Sequence, residues 1–166
     1  MILSFVIISY ESGGVLFSRY YGAALATEAA QATWLRRLHA ATAADWGLLR
    51  TEGEEQVATL GGADAPAVQV LFKSLGDVVL LLAGDEEHDG LLLLEVARAL
   101  DACLRGACRI PRARDGTTRV SAEGRLLATY HRLCLVVDEV IVDGEVDHLD
   151  TKTVLKVIDM KPRRTA

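Results

Sequence analysis

The segment from Leu133 to Ile158 reads LCLVVDEVIVDGEVDHLDTKTVLKVI and says most about how the chain folds. Its apolar residues, together with those just before it, recur at the three- and four-residue spacing of one helical face. This face comprises Leu127, Tyr130, Cys134, Val137 and Ile141, flanked by Leu126, Leu133, Val136 and Val140. The spacing predicts a long, largely buried helix that ends near Gly144, because glycine suits a helix C-terminus.

The end of the segment has the pattern of a second, shorter helix. It is predicted to begin after Asp150 or Thr151, since both side chains can cap a helix. Its inward side chains are predicted to be Val154, Leu155 and Ile158.

Two acids, Asp138 and Glu139, lie within the long apolar helix. We expect them to face outward between Val137 and Val140, or to pair with a basic residue. In either case they are structural, and they do not form an acid/base couple.

The preceding residues predict strands at 1–10 and 14–21 joined by a glycine-containing turn, then a helix from Thr27 to about Asp45 with Trp34 as its buried anchor. Three more strands are predicted at 55–60, 67–74 and 77–84, before a helix capped by Asp89 and ending near Arg105. The order is β-β-α-β-β-β-α-α-α. It predicts an α+β fold with a five-stranded, mostly antiparallel sheet and helices on both faces. We expect residues 1–166 to form a single domain.

Composition and charge limit the classes of function. Hydrophobic residues make up 51% of the chain, which indicates either a buried partner face or a biased composition. The net charge of -5 does not favour nucleic-acid binding. The three cysteines lack CxxC spacing, and the apolar start is far shorter than the ~20 residues that span a bilayer. A cytoplasmic location is therefore expected.

Arginines concentrate between residues 105 and 132. Arg109, Arg112 and Arg114 could contact anionic lipid, at about 1 kcal/mol per basic residue near a charged surface, or an acidic partner. The alternative is a loop whose arginines are simply solvated.

No chemical motif indicates an enzyme. The acidic run Asp85 to Asp89, with His88, resembles a solvated loop more than a metal site, because consecutive residues rarely converge on one ion. GxSxG, GxGxxG and GxxxxGK[ST] patterns are absent. We expect no catalysis, cofactor or metal.

The quoted segment resembles the small subunits of vesicle-coat complexes, adaptor sigma and coatomer zeta. In that family an apolar stretch ending in V-D-E leads to a glycine, an acidic turn and a short helix; here these are Val137-Asp138-Glu139, Gly144-Glu145-Val146 and residues 151–158. The resemblance implies a longin-like fold and a role in assembly. It makes the following residues partner-binding or family-signature positions: Leu133, Val137, Asp138, Glu139, Val140, Ile141, Gly144, Val154, Leu155 and Ile158.

Two stretches resemble one branch of that family more closely. They are LGDVVLLLAGDEEHDGLLLLEV at residues 75–96 and the closing residues 150–162, which end in Met160-Lys161-Pro162. Both are similar to the small subunit, called LOLITA or TSPOON, of the TPLATE (TSET) complex. This implies a clathrin-associated complex acting in endocytosis at the plasma membrane, in which the chain packs on a large adaptin-like solenoid subunit and is not a homo-oligomer.

Other functions remain open at this stage. The chain could be a coatomer zeta or adaptor sigma subunit, or a stand-alone longin module that regulates a trafficking GTPase. Some sigma subunits hold dileucine signals in an apolar groove, which the resemblance places near Leu75, Asp77 and Asp101. Unpartnered carboxylates would be poor hosts for leucine side chains, so cargo binding there is not expected.

Overall fold

The core of the chain is a five-stranded sheet, seen in a computed structural model that describes residues 1–49, 53–61, 65–87, 90–114 and 119–160. The strands are β1 (Ile2–Ser9), β2 (Val15–Tyr20), β3 (Glu55–Leu60), β4 (Val68–Leu75) and β5 (Val78–Gly84). They lie in the order β2-β1-β5-β4-β3, and each neighbouring pair is antiparallel. The antiparallel sheet is therefore confirmed.

Alternation along the strands divides the buried side chains between two faces of the sheet. In β1, Phe5 and Ile7 point to one face, whereas Val6 and Ile8 point to the other. The apolar run of β5 is buried throughout, as expected for a strand covered on both faces. Both faces of the sheet therefore need a covering layer.

One face is covered by helix α1 (Glu28–Thr42) and the 3-10 helix Ala43–Leu48. Thr27 caps α1 by accepting a hydrogen bond from the Ala30 amide at 3.2 Å. Trp34 is buried, and its indole donates a hydrogen bond to the Ser4 hydroxyl at 2.8 Å. The predicted cap and anchor are both confirmed, although α1 ends at Thr42 and not near Asp45.

The opposite face is covered by α2 (Gly90–Cys108), α3 (Glu123–Ala128), α4 (Tyr130–Val140) and α5 (Thr151–Met160). α2 lies between the sheet and the pair α4 and α5, which explains its broad apolar surface. Asp150 caps α5, because its carboxylate accepts from the Thr153 amide at 2.8 Å. Helices on both faces are confirmed.

The predicted long helix ending near Gly144 is wrong in two places. The helix breaks at Thr129, which separates α3 from α4, and α4 ends at Val140. Two short strands follow, β6 (Ile141–Val142) and β7 (Glu145–Val146), paired across a two-residue turn. Asp143 and Gly144 have φ values of 51° and 85°, the left-handed pair that a tight hairpin requires. The predicted order β-β-α-β-β-β-α-α-α therefore omits one helix, because α3 and α4 are separate, and it omits the β6–β7 hairpin.

The break at Thr129 also changes which side chains face inward. α4 and α3 do not share one continuous apolar face, so Leu127 and Tyr130 are 50% and 42% exposed. They were predicted to be buried. Asp89, the predicted cap of α2, lies outside the described residues, as do His88 and Lys161-Pro162.

Candidate interaction surfaces

Most of the family-signature residues lie inside the chain's own core. Six of them are fully or almost fully buried: Leu133, Val137, Val140, Ile141, Val154 and Ile158. Leu155 is only partly buried and packs where α5 passes Gly106 of α2. Through this packing the residues position α4 and α5, and most of their apolar surface is used inside the chain.

Gly144 has a separate structural role in the turn between β6 and β7. Its carbonyl accepts a hydrogen bond from the Ile2 amide at 2.7 Å, which ties the hairpin to the first strand. A Cβ at this position would lie 2.8 Å from the Ile2 carbonyl oxygen and 3.2 Å from the Tyr21 Cβ. Glycine is required here both for its positive φ and for this close approach.

The two acids of the V-D-E pattern lie on the outer side of α4. Asp138 is exposed and forms an ion pair with Arg19 of β2, with 2.9 Å between carboxylate and guanidinium. Glu139 is half-buried next to it. Asp138 was expected to face outward or to pair with a basic residue, and it does both. The ion pair links α4 to β2, the edge strand of the sheet.

A buried ionic cluster joins α2 to strands β3 and β4. The ammonium of Lys73 is 2.9 Å from the carboxylate of Asp101 and 3.2 Å from that of Glu55. Asp101 also accepts from Arg105 Nε at 2.7 Å, and Glu55 accepts from Arg98. Lys73, Asp101 and Arg105 are buried residues. Because each buried charge has an oppositely charged partner, the cluster holds α2 at one register on the sheet.

The environment of Glu55 lowers its carboxyl pKa. Partial burial acts to raise the pKa, but the hydrogen bond from Arg98 and the charge of Lys73 outweigh it. Glu55 is therefore a carboxylate at neutral pH. The thiol pKa values of Cys103, Cys108 and Cys134 shift in the opposite direction. Burial raises each of these pKa values, which keeps the thiols neutral and unreactive.

Arg119 and Asp77 fasten the segment before α3 to the turn between β4 and β5. The guanidinium of Arg119 donates to the carbonyls of Gly76 and Leu49 at 3.1 and 2.7 Å, and it lies over the ring of Tyr10. Asp77 accepts from the amides of Ala122 and Glu123, both at 2.8 Å. Arg119 and Asp77 therefore use these polar groups in hydrogen bonds to other parts of the same chain.

The groove implied by the resemblance is therefore closed by internal contacts. Leu75 is fully buried, Asp77 binds two amides, and Asp101 binds Lys73 and Arg105. The sequence argument treated both acids as unpartnered, whereas each has partners within the chain.

Arg109, Arg112 and Arg114 lie at the surface beyond the end of α2. Arg109 has a φ of 55° and ends the helix, while the Ile110 amide donates to the Arg105 carbonyl at 3.0 Å. The three guanidinium groups are exposed and form no ion pair with the described residues. They remain open to an external anion.

Features typical of metal or membrane-spanning sites are not found in the described part of the chain. Nowhere in it do three or more His, Cys, Asp or Glu side chains converge as metal ligands. Among the described helices, none combines the length and apolar character needed to cross a bilayer.

The ionic cluster was missed by sequence reasoning. Its signals were a lysine inside the apolar strand VLFKSL and the four-residue spacing of Asp101 and Arg105 on a helix. Nothing in the sequence shows that these two features face each other.

Two comparisons relate the chain to known proteins, and no known protein-family model matches it. The chain is 23% identical over 156 residues to the TSET complex member tstD of Dictyostelium discoideum, covering 94% of this chain and 91% of that protein. It also superposes with a TM-score of 0.60 on a chain of a structure described as a homology model of the full-length AP-3 complex in a stretched open conformation. That match covers 96% of this chain and 92% of the other, at 13% identity.

The two matches agree with what the residues of the quoted segment implied. The second shows the fold, so the longin-like α+β architecture is confirmed. The first extends the sequence likeness over nearly the whole chain. By sequence and by fold, the chain is similar to the small, adaptor-like subunits of coat complexes.

Proposed function

We propose that the chain is a non-catalytic assembly subunit of a heteromeric, clathrin-associated adaptor complex of the TPLATE (TSET) type, acting in endocytosis and vesicle trafficking. The observation that carries the proposal is the likeness to a TSET complex member over 94% of the chain. The internal use of the polar groups supports it. Lys73, Asp77, Asp101 and Arg119 fix secondary-structure elements to one another, as a scaffold requires.

The proposed partners are a large adaptin-like solenoid subunit and the other subunits of the complex. Residues 1–166 would act as one domain, which joins the hetero-oligomer in preference to forming a homo-oligomer. It would be cytoplasmic, and peripheral at the plasma membrane or on coated vesicles through the complex. The signature residues from Leu133 to Ile158 would serve assembly by holding α4 and α5 in place.

The exposed arginines after α2 are proposed to contact an anionic membrane surface once the complex has assembled. A clustered positive charge gains attraction from anionic headgroups within a Debye length. Reversing charge with Arg112→Glu and Arg114→Glu is expected to lower binding of the complex to vesicles containing phosphatidylserine, measured by flotation. Unchanged binding removes this part of the proposal.

An adaptor sigma or coatomer zeta subunit is the second candidate, because the chain shares its fold with a chain of an AP-3 complex. Affinity purification of the tagged chain followed by mass spectrometry separates the candidates. Large solenoid subunits with TPLATE-type companions are expected. Recovery of coatomer or other adaptor subunits would assign the chain to those complexes, and nucleotide-dependent recovery of a GTPase would indicate a stand-alone regulator.

A further inference from the structure

Two grooves flank helix α1 on the face of the sheet that it covers. The larger one, of about 590 Å³, lies beside the N-terminal half of α1 and is lined by Leu3, Ala30, Trp34 and Arg37, among others. The smaller one, of about 290 Å³, lies on the other side. Its lining includes Ile8, Val15, Leu35, Arg36 and His39. The lining of each groove is mostly apolar, and each lining also includes an arginine.

The arginines of these grooves are not paired with an acid within the described ranges of the chain. Arg36 donates a hydrogen bond to the Thr33 hydroxyl, and Arg37 lies over the Trp34 ring with its guanidinium carbon 5.5 Å from the ring centroid. Neither forms an ion pair with any described residue, and no acid lines either groove. Although the chain has a net charge of -5, Arg36 and Arg37 form a positively charged site that can pair with acidic residues of another molecule.

The shape of the surface fits a second helix. Side chains on a helix form ridges that pack into the grooves beside another helix. The side chains that α1 contributes to the groove walls include the short, exposed Ala29, Thr33 and Ala40, so a second backbone can approach closely. A lipid headgroup would use the arginines but would leave both apolar floors uncovered.

We propose that this α1 surface, formed by α1 and its two grooves, docks an acidic amphipathic helix of the large subunit. The inference rests on the proposed function and specifies the partner's chemistry. Apolar side chains of the partner helix fill the two grooves, and its carboxylates pair with Arg36 and Arg37. Charge complementarity of this kind favours the correct partner and speeds association.

The test uses the full chain co-expressed with the large subunit. The variant Arg36→Glu/Arg37→Glu is expected to bind the large subunit about tenfold more weakly, with a reduced dependence on salt. A second variant, Thr33→Trp, fills the larger groove from an exposed position and is expected to weaken binding without altering charge. The matched control is Lys152→Glu/Lys156→Glu, whose exposed side chains lie on α5 at the opposite face of the sheet, and it is expected to retain binding.

The outcomes distinguish this inference from the proposed function. If the wild-type chain captures no large subunit, the proposed function itself fails. If the wild type and both α1 variants bind equally well, with unchanged thermal unfolding, only the α1 docking surface is wrong. Loss of binding to phosphatidylserine vesicles by the Arg36→Glu/Arg37→Glu variant, with subunit capture intact, would also overturn the inference.

Discussion

At the scale of single residues, Lys73 shows how a charge can be held inside an apolar layer. Its side chain is 3% exposed and depends on Asp101 and Glu55 for partners. Lys73→Met removes one cationic partner from each carboxylate but leaves Arg105 on Asp101 and Arg98 on Glu55, so the loss should be about 1–3 kcal/mol. Urea unfolding should show this loss of stability.

Arg98 provides the control for that variant, because it binds the same Glu55 from the surface with a side chain that is 61% exposed. Arg98→Ala should cost clearly less stability than Lys73→Met, since exposed ion pairs contribute little. Similar losses for the two variants would mean that burial does not decide the strength of the cluster.

The lowered pKa of Glu55 predicts how stability depends on pH. A carboxyl whose folded pKa lies below its unfolded pKa stabilises the fold above the unfolded pKa, and this contribution is lost as pH falls through the folded pKa. The wild type should therefore exceed Glu55→Gln in stability at neutral pH, and the difference should shrink in acid. A difference that is constant from neutral to acidic pH would contradict the assignment.

Val137 and Asp138 are neighbours in α4 with opposite surroundings. Val137 is fully buried, so Val137→Asp places an unpartnered carboxylate in the core and should cost more than about 4 kcal/mol. Asp138→Asn removes only the exposed pair with Arg19 and should cost less than about 1 kcal/mol. Thermal unfolding of both variants checks this contrast, and a folded Val137→Asp protein of normal stability would refute it.

At the scale of secondary-structure elements, the β6–β7 turn depends on Gly144. Gly144→Ala meets a positive φ and a close contact with Ile2, whereas Gly13→Ala meets a positive φ in open space. We expect about 1 kcal/mol for Gly13→Ala and about 3 kcal/mol for Gly144→Ala, measured by chemical denaturation. Equal costs would show that the close approach is unimportant.

Periodicity located most elements but failed where local conformation changes the direction of the chain. The strands and α1, α2 and α5 were predicted because their apolar spacing is regular, and α1 and α5 also have polar caps. The spacing continued unbroken through Thr129 and Ile141, so it could not reveal the break before α4 or the end of that helix. The β-branched run Val140-Ile141-Val142 followed by Asp143-Gly144 was the available hairpin signal.

At the scale of the whole molecule, the sequence indicated the likeness to adaptor-complex subunits but not the surface. Most apolar residues of the segment from Leu133 to Ile158 are buried, so they pack inside the chain and are removed from any interface. The α1 grooves form where that helix packs on the sheet, between residues far apart in the sequence, and no local pattern encodes this packing.

The proposed function requires the chain to work as one part of a larger assembly. The native mass of the endogenous chain in cell extract, measured by size-exclusion chromatography with immunodetection, tests this requirement. We expect the chain to elute with a large subunit in a complex several times its own mass. Elution entirely as a free monomer, in extracts where other coat complexes remain intact, would contradict it.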